Sequence, residues 1–305
     1  MNWDRIFTSP PPNTGWVLGA NDAVVVHRAA IDEFHCAVEE LPAGAFEVGP
    51  VGLQSVNREA VGPAFARLKG AAEGARSAAV IVPTSWLRSF LIDIDRPPRK
   101  EEELHEVVRW RLKKLLPVAP TDLRLSVVRQ PEHAGQRRLL VMAGIERAMR
   151  AIESNFKAIG VEVGLITTRL FALVPQGAGV IRPSLVIQQE ESFLSLLLLT
   201  EGAPRLIRTK PLALANQGAG PILREAGRTL GFIRDSLGVS SEIEVRLTAE
   251  SPEIDGELRG WLASQEGLVS MVEKAAPPCG PTTVVSRVGA ARLVPAMAVV
   301  TGELR

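Results

Sequence analysis

Short β-rich runs, closely spaced, open the chain. Gly15–Gly19, Ala23–Ala29 and Phe34–Leu41 are separated by only a few residues each. Parallel strands need a crossover of a dozen or more residues, so these three are predicted to form an antiparallel meander. A helical stretch over Arg58–Ala72 and a strand at Ala79–Pro83 follow. The same succession returns later, as Ser184–Gln189, Phe193–Thr200 and Arg205–Pro211. Next, Pro221–Leu237 places Ile222, Leu223, Ala226, Leu230, Ile233 and Leu237 at helical spacing and stops at Gly238. A strand at Ile243–Thr248, a helix at Ile254–Ser264, a short strand at Leu268–Val272 and an apolar helix near Val288–Thr301 complete the second half.

Each half thus opens with three antiparallel strands, a helix and another strand, an internal repeat at the level of elements. The first half carries extra material from about residue 86 to 158: a strand (Leu87–Asp93), a charged helix (Lys100–Leu116), two strands (Leu123–Gln130, Arg138–Ile145) and a helix (Glu146–Ala158). A strand at Val161–Thr167 returns to the repeat. A duplicated meander with helices is the plan of the actin-like (ribonuclease-H-like) α/β fold. Its halves are assigned here to residues 1–170, with the inserted α+β subdomain, and 171–305.

Composition narrows the function. A chain of 305 residues fits about two domains. With 35 Lys and Arg against 34 Asp and Glu, the net charge is +1. That balance argues against nucleic acid as a partner, because such affinity rests on clustered cations. The two cysteines, Cys36 and Cys279, sit in no metal or redox pattern and are expected as free thiols of a reducing compartment. The four histidines (His27, His35, His105, His133) lack metal-ligand spacing. Met1–Arg5 leads into Pro10–Pro12 without a basic start and apolar run, and the longest apolar stretch, Phe193–Leu199, is far short of the roughly 20 residues that span a bilayer. A cytoplasmic protein is expected. The mean hydropathy of +0.12, without a single tyrosine, hints at apolar surface kept for contacts.

The most informative stretch is Arg88-Ser-Phe-Leu-Ile-Asp-Ile-Asp-Arg-Pro-Pro98, then Glu101-Glu-Glu-Leu-His-Glu-Val-Val-Arg-Trp110, then Leu115-Leu-Pro-Val-Ala-Pro120. It resembles the PilM family, actin-like cytoplasmic proteins of the type IV pilus inner-membrane platform, related to FtsA and to cytoplasmic GspL. Gly164–Ala172 resembles that family's crossover between halves, and Arg292–Val300 its closing helix. The resemblance implies three nucleotide loops, and all three have lost their signatures. Val17 stands at the metal-organising Asp, Val24 at the Lys, and Gly19 is followed by Ala20, Asn21 and Asp22. Ile187, Gln188 and Gln189 replace the second Asp-x-Gly and run into Glu190-Glu191. Thr248, Ala249 and Glu250 replace the glycine-rich purine loop. Carboxylates facing phosphate repel it, so ATP and Mg²⁺ are disfavoured and no cofactor is expected.

The resemblance implies a non-enzymatic adaptor that binds the N-terminal tail of a PilN-like membrane protein in a groove between the first core and the insertion, and links the platform to the pilus assembly ATPase. Membrane contact is then indirect. Phe90, Ile92, Val107, Trp110, Arg111 and Lys114 are the groove residues it suggests. A GspL-like domain that recruits a secretion ATPase is the alternative, and an actin-fold kinase a more distant one. Asp93 and Asp95 share a strand face like an acid/base pair but precede Pro97-Pro98, where a solvated turn is expected. Ser85 and Ser89 lack the setting of a nucleophile. The acidic start (Glu101–Glu103, Glu106) and basic end (Arg109, Arg111, Lys113, Lys114) of the charged helix complement its macrodipole, which is preferred to lipid binding. Arg111 falls within the arc of Leu104, Val107, Val108, Leu112 and Leu115. It is expected to pair with Asp122 or Glu146, with a partner contact as the alternative.

Overall fold

A computed structural model describes residues 12–31, 33–133, 135–174, 182–190, 193–212, 218–270 and 290–301. The first half is built on a sheet of β1 (Thr14–Leu18), β2 (Asp22–Ala30), β3 (Glu33–Glu40), β6 (Ser77–Val82) and β10 (Glu162–Thr168), in the order β10-β6-β1-β2-β3. The second is built on β11 (Ser184–Glu190), β12 (Phe193–Thr200), β13 (Ala203–Pro211), β14 (Ile243–Ala249) and β15 (Leu268–Ser270), in the order β13-β12-β11-β14-β15. In both, an antiparallel meander leads, and the next two strands add in parallel beside its first strand. The repeat read from the sequence is therefore a repeat of topology, and the chain has the actin-like α/β fold.

Helices lie outside and between the two sheets. α1 (Arg58–Ala71) and α3 (Glu146–Ala158) cover the outer face of the first sheet; α5 (Gly220–Asp235) and α6 (Pro252–Ala263) cover that of the second. The inner faces meet two crossed helices. α4 (Arg169–Ala172), at the end of the first half, packs Leu170 against Val186, Leu197 and Leu199 of the second sheet. α7 (Ala290–Thr301), at the end of the second, packs Leu293, Ala296, Met297 and Val299 against Val17, Val24, Val26 and Ile81 of the first. β12 is thus covered on both faces, which explains its nearly continuous apolar run Leu194–Leu199, interrupted only by Ser195. Val288 and Leu173's successors beyond Val174 lie outside the described residues, as do Met1–Pro11 and Cys279.

The inserted sheet comprises β7 (Arg88–Asp93), β8 (Leu123–Arg129) and β9 (Arg138–Ile145), ordered β7-β9-β8. On one face lies α2 (Glu101–Leu112), held by Leu104, Val108 and Leu112 at i, i+4, i+8. α3 follows β9 directly but belongs to the first core. Its Phe156 ring sits 4.9 Å from Trp16 of β1 and 5.0 Å from Phe65 of α1. A hairpin of β4 (Phe46–Gly49) and β5 (Gly52–Val56) was not expected from the sequence; its strands are short and half exposed, and little alternation marks them. Cys36 on β3 departs from the expected free thiol, since it is disulfide-bonded.

The Trp16–Phe65–Phe156 cluster ties α3 to the first sheet, and all three rings are at most 1 % exposed. Phe156→Ala should lower the unfolding free energy by about 3–5 kcal/mol, measured by urea denaturation; a loss below about 1 kcal/mol would contradict this packing.

Candidate functional site

The segments to which the resemblance would give the nucleotide loops converge between the halves, and among the described residues side chains of the chain itself link them. Val17 and Val24 are registered opposite one another on β1 and β2, fully buried against α7. The positions that the resemblance would give to Asp and Lys form an apolar floor. Gly19 closes the β1–β2 turn through its N–H to the Asp22 carbonyl (2.8 Å). A Cβ at Gly19 would strike the ends of the Asp22 and Arg292 side chains, so glycine there leaves room for their ion pair. Asn21 is exposed at the tip, where its carbonyl accepts from Leu41 N–H (2.8 Å).

Arg292 of α7 pairs with Asp22, and its other nitrogen lies 3.3 Å from Glu250 Oε1. Glu250, at the end of β14, also takes Arg169 Nη1 at 2.8 Å. Arg169 is 1 % exposed, at the start of α4. Its Nη2 donates to the Leu18 carbonyl (2.8 Å), and its Nη1 lies 3.4 Å from Glu190 Oε2. Glu190, at the end of β11, accepts the Thr84 N–H from the first half. Thr84 donates its hydroxyl to Gln188 Oε1 (3.0 Å) and accepts from Leu170 N–H (3.3 Å), while Gln189 Oε1 accepts from Glu250 N–H (3.1 Å). Ile187, Thr248 and Ala249 are buried beneath; Glu191 lies outside the described residues. Three carboxylates and two guanidiniums form one network that joins β1, the loop after β6, α4, β11, β14 and α7. Burial pushes the Glu190 carboxyl up to about 7, against the opposing pull of Arg169 and the Thr84 N–H. Burial likewise lowers the proton affinity of Arg292.

A second site, an apolar groove of about 300 Å³, lies between the inserted sheet and the first core. Its floor is the face of β9 opposite α2, with Leu140, Met142 and Gly144; β8 contributes Leu125 and Val128. Five consecutive residues, Val163–Thr167, line it from β10, and Phe171 of α4 closes one side. Among the described residues β10 is bonded to β6 alone and β8 to β9 alone, so both present a free backbone edge. β10 also carries a bulge at Val163/Leu165, where Gly164 is exposed. At one end Arg124 binds Glu146 (2.7 Å) and Glu153 (3.1 Å, Nη2 to Oε2). Hydrogen bonds from Arg124 and then Arg150 hold the Glu146 carboxyl down at about 2.

The residues expected to form a groove fall on the other face of the inserted sheet. Phe90, Ile92 and Val107 pack between β7, β9 and α2, while Trp110, Arg111 and Lys114 are exposed. Arg111 pairs with neither expected partner: Glu146 is taken by Arg124 and Arg150. The helix ends at Leu112 and Leu115 is exposed, so the apolar arc is narrower than the sequence spacing implied. Arg109 closes this end instead, donating to the carbonyls of Pro120 and Leu123 (3.2 Å for the latter). Asp93 is exposed and paired with Arg138 (2.6 Å), and Asp95 is exposed: a solvated turn. The groove lies where the resemblance placed it, between the first core and the insertion, but sequence reasoning missed the residues that line it and gave no local signal for Arg169, whose neighbours in the chain are Thr168 and Leu170.

No protein-family profile and no curated protein matches the sequence. Among solved structures, the PilM–PilN type IV pilus biogenesis complex is similar with a TM-score of 0.68 and 17 % identity, covering 96 % of this chain and 98 % of that one. The cytoplasmic domain of EpsL, an inner-membrane component of the type II secretion system of Vibrio cholerae, is similar with a TM-score of 0.50 and 14 % identity, over 83 % of this chain and 96 % of that one. At such identities the likeness is one of fold, and it extends over nearly the whole chain. No helix among the described residues is long and apolar enough to cross a membrane.

Removing Arg169 strands Glu190 in the interior, so Arg169→Met should cost about 3–5 kcal/mol, more than Arg169→Met combined with Glu190→Gln; equal losses would contradict the network. The raised proton affinity of Glu190 means that folding takes up a proton. Its stabilising contribution is complete below the ordinary value of 4.5 and is lost as pH rises through about 7. Glu190→Gln should flatten the fall in stability across that window, measured by denaturation at several pH values; an unchanged slope would contradict the assignment.

Proposed function

We propose that this chain is a cytoplasmic scaffold of an inner-membrane pilus or secretion assembly, which captures the N-terminal tail of a PilN-like membrane protein. The observation that carries the reading is the groove walled by the free edge of β10. An extended peptide can add its backbone to such an edge while alternate side chains enter the apolar floor. At about 300 Å³ the groove suits a few aliphatic side chains and is small for a nucleotide. The likeness in fold to a PilM–PilN complex supports the choice of partner. The weaker likeness to cytoplasmic EpsL supports a secretion platform as the second setting, in which the chain would help recruit an assembly ATPase.

The same reading makes the protein a non-enzyme that has no use for ATP. The cleft carries its own countercharges, and phosphate would have to displace Arg169 and Arg292 from three carboxylates that repel it. Its apolar floor at Val17 and Val24 offers neither a metal ligand nor a phosphate contact.

A labelled peptide of the tail of a PilN-like protein encoded beside this chain should bind with micromolar or better affinity, by fluorescence anisotropy. Met142→Glu, on the groove floor, should weaken it by about tenfold or more, whereas Trp110→Ala should leave it unchanged. The reverse pattern would move the tail to the α2 face, and no binding to folded protein would sink the reading. Calorimetry with ATP and Mg²⁺ should give no heat of binding; micromolar affinity would overturn the proposal of a nucleotide-free cleft.

A further inference from the structure

At the C-terminal end of α2 the surface is aromatic, aliphatic and basic at once. Trp110 is 59 % exposed and Leu115 57 %, and Trp110 is the most exposed Trp or Phe among the described residues. Packing does not require either, because Leu104, Val108 and Leu112 already hold the helix to its sheet. Lys114 Nζ lies 4.5 Å from the centroid of the Trp110 ring. Around the ring, Arg111, Lys113 and Lys114 are exposed, and none of them pairs with a carboxylate among the described residues. Of the acids early in the helix, Glu101 pairs with Arg129 and Glu103 with Lys100, while Glu102 and Glu106 are exposed one turn or more before the basic end. Arg109 is spent on the carbonyls that close the following turn. Macrodipole complementarity accounts for Arg109 and Arg111, in the last turn, and for Lys113 at the C-cap, but Lys114 lies beyond it, over the Trp110 ring.

We propose that this helix end makes direct contact with anionic phospholipid headgroups at a bilayer surface. An indole is amphipathic and settles at headgroup depth, where Trp is enriched at membrane interfaces. Three unpaired cations complement a negatively charged leaflet, and flexible lysines suit a diffuse array of charges better than one fixed acidic site. The residues project outward, as a bilayer contact requires. Such a patch is a weak anchor alone, in the way that a single lipid chain is, and becomes effective as a second signal on a protein already held at the surface. The patch also sits at the end of the inserted sheet where Arg109 binds the Leu123 carbonyl, one residue before the Arg124 cluster at the groove. If the groove holds a membrane-anchored tail, both contacts are made from the same end of the sheet; the lipid contact does not depend on that reading.

The test is co-sedimentation of the purified protein with vesicles. Phosphatidylcholine vesicles containing about 30 % phosphatidylglycerol should pull the protein down at low salt, and vesicles of phosphatidylcholine alone should not. Arg111→Glu, Lys113→Glu and Lys114→Glu together should weaken this roughly a hundredfold, and Trp110→Ala should weaken it as well. All four positions are exposed, and circular dichroism will show the variants folded. Wild-type emission should shift to the blue on binding, and the shift should vanish in Trp110→Phe. Absence of sedimentation with anionic vesicles overturns the proposal, as does binding that the charge reversals leave intact. Binding of soluble poly-glutamate through the same residues, without vesicle binding, overturns it in favour of an acidic protein partner. The tail-peptide assay is read on separate residues, so failure of either proposal leaves the other standing.

Discussion

A buried guanidinium organises this molecule. Arg169 sits at the point where the chain passes from one half to the other, and its charge has to be met on every side because an unpaired buried charge is costly. It is met by the Leu18 carbonyl of the first sheet and by Glu190 and Glu250 of the second. Those groups come together only when β1, β11 and β14 end at the same place, so the ion pairs define how the two sheets face each other. α4 then wedges Leu170 into the second sheet, and the neighbouring Phe171 becomes a wall of the groove. The closure of the cleft and the opening of the groove are two consequences of one anchored helix.

In actin-like proteins that use nucleotide, as the resemblance implies, phosphate and metal supply charge at the meeting point of the halves. Here Asp22, Glu190 and Glu250 face Arg169 and Arg292, and the mutual neutralisation is internal. On the proposed reading, the cleft has become a joint and binding has moved to the groove beside the insertion. Glu190 is the soft element of that joint: it is the most deeply buried carboxylate of the network, and its proton affinity lies near neutrality.

Much of the fold was legible in the sequence, for physical reasons. Short links between β-rich runs force antiparallel pairing, and the apolar run Leu196–Leu199 of β12 reflects burial on both faces. The departures from the loop signatures that the resemblance implies were equally visible, residue by residue, at Val17, Val24 and Glu190. The replacement was not, because Arg292 meets Asp22 across 270 positions of chain. The groove lies between core and insertion as the resemblance implied, but its lining is collected from β8, β9, α3, β10 and α4, and no local pattern announces those residues. Trp110 and Lys114 drew attention through their neighbours in sequence, but the pleat of the inserted sheet puts α2 on the face away from the groove. The hairpin β4–β5 was missed because its strands are too short to show alternation, and Arg111 was misjudged because the helix stops one turn early.

The central claim is that binding resides at a free strand edge and not in the cleft between the halves. Amide hydrogen exchange measured on the same protein, alone, with the tail peptide, and with ATP and Mg²⁺, compares the two places directly. The account predicts that the peptide slows exchange in Glu162–Thr168 and Leu123–Arg129, and that ATP leaves Gly19–Asp22, Gln188–Glu190 and Thr248–Glu250 unchanged. Protection of those cleft segments by ATP, with β10 and β8 unaffected by the peptide, would contradict it.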